Sequence, residues 1–292
     1  MPALPNRRTS IIGHLQALIG ERHPYSAPEF LAKTAQYLAT QFLRSGWTTT
    51  PQAFRVGGKT YRNILAIKHP AGRAAGAPLL IGAHYDTVLA SPGADDNASA
   101  LTVLLEIAER LKRVAVRCPV WLVAFCLEED GLLGSRAFAA RLRKTDQALT
   151  GAIILECVGY ASQETGSQQT PPGVPIPVPT VGNFLGIIGN ESSRNLVTSI
   201  EGSARRASPQ LPIVALTVPS RGEALPDVRR SDHAAFWDEG YSAVMLTDTA
   251  NFRNPHYHQP TDTIETLDLN FLEGVIDIVM ASVQDLAGVR SR

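Results

Sequence analysis

Five short stretches of this 292-residue chain carry side chains able to hold a divalent cation. They are His84-Tyr85-Asp86, Asp95-Asp96-Asn97, Glu128-Glu129, Glu156 and His256-Tyr257-His258. Each follows an apolar run or sits in a Gly/Pro-rich turn, which sets its polar groups at a strand mouth or in a loop. His84 reads as a metal-bound imidazole whose ring Asp86 fixes from outside. Asp95 and Asp96 precede a helical stretch; they suit a hard, multiply charged ligand set, and they can equally cap that helix. Adjacent acids such as Glu128 and Glu129 are costly to bury unless a cation or a proton compensates. Their side chains diverge, so one can bind metal while the other takes a proton from a bound water. Glu156 ends an apolar run under the same desolvation cost, with a buried Arg pair as the alternative. Either His256 or His258 can ligate, and the Tyr257 phenol can donate to a developing oxyanion.

Ser231-Asp232-His233 holds the residue types of a nucleophilic triad. Three consecutive residues cannot meet in triad geometry, however, and no Gly-x-Ser-x-Gly elbow occurs. These three are expected to support the site instead. Two imidazoles and three carboxylates with no thiolate suit Zn²⁺, with Co²⁺ or Mn²⁺ possible. Five donors exceed one tetrahedral ion; two ions about 3.5–4 Å apart sharing a carboxylate and a water would use them all.

The elements that position these residues are legible as periodicities. Ser26-Ala27-Pro28-Glu29 has the form of a capping box opening an amphipathic helix that stops at Ser45-Gly46, within an N-terminal helical segment of about 8–46. Strands are expected at Arg62–Ile67, Ala77–Ala83, Val120–Cys126, Ala152–Leu155, Ile213–Val218 and Ser242–Leu246, and helices at Ala98–Arg113, Gly134–Arg143 and Leu269–Leu286. Such alternation implies an α/β fold with a largely parallel sheet covered on both faces. Sites in such folds lie beyond the carboxyl ends of the strands, where His84, Glu128, Glu129 and Glu156 fall. The Ser-, Gln-, Gly- and Pro-rich stretch 161–180 reads as an irregular loop near the site.

Bulk properties exclude several classes. Lys plus Arg and Asp plus Glu number 27 each, so no global charge favours nucleic acid or an anionic membrane. No stretch has the roughly 20 apolar residues of a membrane helix, and the N-terminus lacks a secretory apolar core, so a cytoplasmic location is expected. Cys118, Cys126 and Cys157 fit buried thiols better than disulfides. Arg221, Arg229 and Arg230 suggest a carboxylate-binding rim, or simply a solvated basic loop. Oligomeric state is not legible.

Taken in order, His84-Tyr85-Asp86, Pro92-Gly93-Ala94-Asp95-Asp96-Asn97-Ala98-Ser99, Glu128-Glu129, Ser231-Asp232-His233 and Tyr257-His258-Gln259-Pro260-Thr261-Asp262 resemble the di-zinc aminopeptidase family. That family includes secreted bacterial leucine aminopeptidases, with glutamate carboxypeptidase and glutaminyl cyclase among its relatives. The resemblance spans roughly Asn63 to Asp268. It implies a three-layer α/β fold with a central, mostly parallel mixed sheet. It further implies Asp96 as bridging ligand, His84 and Glu156 as terminal ligands, Glu129 and His258 completing the set, Glu128 as general base, and Tyr257 stabilising the tetrahedral intermediate. The implied activity is exopeptidase cleavage of short peptide or aminoacyl substrates at a free N-terminus, with two zinc ions. The family usually carries Asp where this chain has Glu156, so one zinc is the variant expectation. The family's large inserted lids have no room here, so residues 1–292 are expected to form one catalytic domain. Alternatives are a cyclase-like single-zinc acyltransferase, a class that typically carries Trp where Tyr257 stands, or a non-catalytic peptide-binding relative.

Overall fold

Runs of Leu, Ile, Val and Ala with no polar interruption form strands buried on both faces. In the computed structural model, which describes residues 7–73 and 76–289, eight strands make one sheet. They are β1 (Thr48–Val56), β2 (Lys59–Lys68), β3 (Leu79–His84), β4 (Val120–Phe125), β5 (Gly151–Glu156), β6 (Leu185–Asn190), β7 (Ile213–Val218) and β8 (Ala243–Thr247). Their order is β1-β2-β4-β3-β5-β8-β6-β7. The central strands β4, β3, β5 and β8 run parallel. Antiparallel pairs join β1 to β2, β2 to β4 and β6 to β8.

Strand side chains alternate between two core layers. Leu79, Ile81 and Ala83 of β3 pack with α1 (Arg7–Leu18), α2 (Pro28–Arg44), α3 (Ala100–Leu111), α5 (Arg194–Ala207) and α7 (Leu269–Ala287). Leu80, with Val123 and Phe125 of β4, packs against α4 (Leu133–Lys144) and α6 (His233–Asp238). Phe125, Phe138 and Phe236 meet there with ring centroids 5.7–6.5 Å apart. The architecture is the expected three-layer α/β sandwich.

One local expectation is corrected. The capping box does not form: α2 begins after Ala27 with no side-chain cap, and the Ser26 hydroxyl turns instead to His23 Nδ1 and Glu21. Pro at the first position lacks an N–H, which removes one of the donors a cap would satisfy. The edge strand β1, strand β6 and helix α5 were not anticipated. Among the described residues no helix is long and apolar enough to cross a membrane.

Because β4, β3, β5 and β8 are parallel, their carboxyl ends and the loops that follow share one edge of the sheet. His84, Glu128, Glu129, Glu156 and the 248–262 segment all emerge there.

Candidate metal centre

His84 is the last residue of β3, and its side chain is almost fully buried. Its Nδ1 lies 3.2 Å from the Asp86 carbonyl oxygen and 3.8 Å from the Asp86 carboxylate. The carbonyl therefore orients the ring, and Nδ1–H donation to it leaves Nε2 free as a ligand. The Asp86 carboxylate does different work: it accepts the backbone N–H groups of Glu128 and Glu129, each at 3.1 Å. That clamp fixes the strand exit from which both glutamates project. Leu127, just before them, holds a left-handed backbone (φ 62), as do Cys157 after Glu156 (φ 47) and His258 (φ 60). Strained backbone of this kind clusters where geometry is imposed by function.

Asp96 sits in an irregular turn, Ala94–Ser99, that leads into α3. Asp262 clamps this turn in the same way, accepting the N–H of Asp95 at 2.9 Å and of Asp96 at 3.1 Å. From below, the fully buried Arg22 guanidinium donates to the carbonyls of Leu18, Gly20, Tyr85, Pro92 and Gly93. Gly93 itself is obligatory. Its φ is +63, and a Cβ there would stand 2.3 Å from the Asp96 carbonyl oxygen and 2.6 Å from Arg22 Nη2.

Two donor sets meet at Asp96. One oxygen, Oδ1, lies 3.0 Å from His84 Nε2, which is 3.5 Å from Glu156 Oε2. The other, Oδ2, lies 3.1 Å from His258 Nε2, which is 3.3 Å from Glu129 Oε2. His84-Asp96-Glu156 and Asp96-Glu129-His258 are each spaced to converge on one ion, with Asp96 common to both. His84 Nε2, Asp96 Oδ1, Glu129 Oε1 and His258 Nε2 are buried without a hydrogen-bond partner, as expected of atoms reserved for a cation. Glu156, one methylene longer than the Asp that the resemblance implies, reaches the set and is held by the Ser231 hydroxyl at 2.7 Å.

The electrostatics call for positive charge. Burial alone would depress both imidazoles. Instead Glu156 and Glu128 raise His84 well above its ordinary value, and Asp96 with Glu129 raises His258 to about 10. Burial would raise Asp96, yet His258 and His84 hold it far below the usual carboxylate range. Burial lifts Glu128 well above that range and Glu129 to about 7. The surrounding carboxylates thus favour positive charge within the cluster.

Other candidates occupy different places. Asp95 accepts from Gly159 N–H (2.8 Å) and Asn254 Nδ2 (2.7 Å), so it braces the site rather than ligating. His256 turns away to Thr261 Oγ1 at 2.9 Å. Asp232 is buried nearby and pushed up to about 7 by desolvation. His233 does not support the cluster as expected. It packs edge-on against Trp237 and its Nε2 lies 2.7 Å from the Val228 carbonyl, in the layer behind the sheet. Burial lowers it to about 4, so the neutral ring donates from Nε2. Cys157 is a buried thiol, its pKa raised by burial, beside Glu156. Sequence alone assigns no part to Asp262, Asn254 or Arg22, since their partners are backbone groups or a residue distant in the chain.

Beside Glu156 and Tyr257 opens a cleft with a cavity of about 100 Å³. Its walls are apolar: Val174 and Ile176 of the Pro-rich loop, with Phe184, Ile188, Met245 and Phe252. Residues 168–184 and 227–230 line it together with β6, β8 and the 249–252 turn. Gln168 ties the loop base down, donating to Thr249 Oγ1 and accepting from Arg253 Nε, each at 2.9 Å. Of the three arginines singled out, Arg230 lines this cleft; Arg229 is paired with Asp238.

The model of peptidase family M28 matches residues 63–283. The Escherichia coli (strain K12) protein YfbL, uncharacterized, is 34% identical over 274 residues, covering 88% of this chain and 82% of that one. Aminopeptidase YwaD of Bacillus subtilis (strain 168) is 29% identical over 237 residues, 78% of this chain; the chain spans only 45% of YwaD. In three dimensions an aminopeptidase from Aneurinibacillus sp. strain AM-1 superimposes with a TM-score of 0.71 at 18% identity, over 96% of this chain and 92% of that one.

Proposed function

The chain belongs to peptidase family M28, and from that premise we propose that it is a zinc-dependent aminopeptidase that removes an apolar residue from the free N-terminus of short peptides. The observation that carries this reading is the shared carboxylate of Asp96, with an imidazole and a second carboxylate on each side. His84, Asp96 and Glu156 would hold one zinc; Asp96, Glu129 and His258 would hold the other. Zinc bound there supplies Lewis acidity for the scissile carbonyl and for the attacking water.

The chain's own residues do the rest. Glu128 takes a proton from the attacking water as its oxygen bonds to the carbonyl carbon. It then delivers that proton to the amine nitrogen as the C–N bond breaks. Its buried carboxylate, next to Glu129, is held by the Asp86 clamp for both transfers. Tyr257, stacked on His258 with centroids 3.8 Å apart, points its phenol toward the same cleft and donates to the carbonyl oxygen as negative charge develops. The cleft beside them takes the first side chain. Its apolar lining and volume of about 100 Å³ suit an aliphatic side chain such as Leu or Met over a charged one.

The test is metal content together with hydrolysis of aminoacyl-anilides bearing Leu, Met, Phe, Lys or Asp, each with and without an N-acetyl block. Two zinc ions per chain, activity abolished by chelator and restored by Zn²⁺, preference for Leu or Met, and no cleavage of blocked substrates are expected. Equal cleavage of blocked substrates would refute the exopeptidase reading. Zinc-replete protein that binds no metal would refute the centre.

A further inference from the structure

A phenol oxygen carries one proton and two lone pairs, whereas a guanidinium can only donate. Arg230 Nη2 lies 3.3 Å from the Tyr257 phenol oxygen, and its guanidinium carbon sits 5.8 Å from the Tyr257 ring centroid. The phenol therefore accepts from Arg230, and its own O–H must be directed elsewhere, away from that cation. The tyrosine ring is not free to swing, being stacked on His258 at an interplanar angle of 17°. Arg230 is braced in turn: Nη1 donates to Asn251 Oδ1 at 2.8 Å and faces Asp227 at 3.5 Å. With these donors engaged, Arg230 is poorly placed to recognise a substrate carboxylate. The next residue, Ser231, donates to Glu156, so one short segment reaches both the phenol and a candidate ligand.

We propose that Arg230 is a positioning residue: by donating to the Tyr257 phenol oxygen it commits the phenol O–H to the scissile carbonyl oxygen. A cation behind the phenol also strengthens it as a donor, and the benefit grows as charge builds on the carbonyl oxygen. This rests on the oxyanion role proposed for Tyr257, and the experiment separates the two.

Steady-state kinetics are measured on the best anilide of the wild-type enzyme for Arg230→Met, Arg230→Lys, Tyr257→Phe and the Arg230→Met/Tyr257→Phe double variant, with zinc content checked in each. Arg230→Met keeps the aliphatic stem but removes charge and donors. It should lower kcat about 10- to 100-fold with KM within threefold, the pattern of an interaction made in the transition state. Arg230→Lys, which retains a cation and a donor, should recover part of the loss. The double variant should be no slower than Tyr257→Phe alone, because the arginine acts through the phenol. Wild-type kcat in Arg230→Met alongside a crippled Tyr257→Phe overturns the arginine's role alone. A rise in KM at unchanged kcat, or strictly multiplicative losses in the double variant, overturns it too. Wild-type kcat in Tyr257→Phe overturns the oxyanion reading and this inference with it.

Discussion

Replacing Asp262 by Asn should weaken zinc binding although Asp262 touches no proposed ligand side chain. Its two carboxylate oxygens accept the N–H groups of Asp95 and Asp96 at 2.9 and 3.1 Å. An amide keeps the shape but turns one acceptor into an NH₂ that faces an N–H. One hydrogen bond to a charged group, worth about 1.5–3 kcal/mol, is lost from the turn that carries Asp96. At 1.4 kcal/mol per tenfold, this predicts a Kd for zinc raised roughly ten- to a hundredfold, in line with the effect of removing outer support from a metal ligand. Asp268 supplies the control: its carboxylate accepts the N–H groups of Asn270 and Phe271 at the N-cap of α7 rather than those of the turn that carries Asp96. Asp268→Asn should leave zinc affinity within twofold. The assay is competition with a fluorescent zinc chelator at pH 8, above the value of about 7 to which burial and Asp95 push Asp262. Unchanged affinity in Asp262→Asn, or an equal loss in Asp268→Asn, would refute the argument that the clamp pre-positions Asp96.

Glu128→Gln should keep zinc yet lose roughly 10²- to 10⁴-fold in kcat, because it removes a proton acceptor and leaves the ligands; metal analysis and anilide turnover on one sample decide it, and wild-type turnover would move the base elsewhere. Gly93→Ala should lower the urea midpoint and zinc content together, since a left-handed alanine costs roughly 1–2 kcal/mol before its Cβ displaces the Asp96 carbonyl 2.3 Å away; an unchanged midpoint contradicts the close approach. The folded pKa of His233, about 4, lies below its ordinary 6.5, so the unfolded chain binds the extra proton. Stability from this group is complete above pH 6.5 and is lost as pH falls toward 4. Between pH 7.5 and 5 the loss is about 2 kcal/mol at 1.36 kcal/mol per pH unit. Urea unfolding of wild type against His233→Gln should show that difference; parallel pH profiles would mean His233 is not buried neutral.

Much of this was readable in the chain because burial on both faces leaves an uninterrupted apolar signature. Strands β3, β4, β5 and β8 announced themselves that way, and a carboxylate or imidazole directly after such a run marks a strand mouth. The edge strand β1 did not, because most of Thr48–Val56 is at least partly exposed and carries Thr, Pro, Gln and Arg. Helix α5 was hidden by its polar face, with Arg194, Asn195, Arg205 and Arg206 diluting the stripe of Leu196, Val197 and Ile200. His256 and His258 were indistinguishable by type and spacing; the left-handed backbone at His258 and the turn of His256 to Thr261 separate them. Arg22, Asn254 and Asp262 were illegible for a different reason. Their decisive partners, backbone groups or Asp95, lie more than sixty positions away, and side-chain type alone does not mark such contacts.

The Asp262 clamp also carries a temporal meaning. Its partners, Asp95 and Asp96, precede it by 167 and 166 positions, and His258 lies close by in the same late segment. A chain emerging from the ribosome displays His84, Asp96, Glu129 and Glu156 long before the second imidazole and the clamp exist. The centre therefore closes late, with central strand β8 and the segment that follows it. A chain that lacks the 248–262 segment holds only part of the donor set, because one of the two groups that meet at Asp96 needs His258.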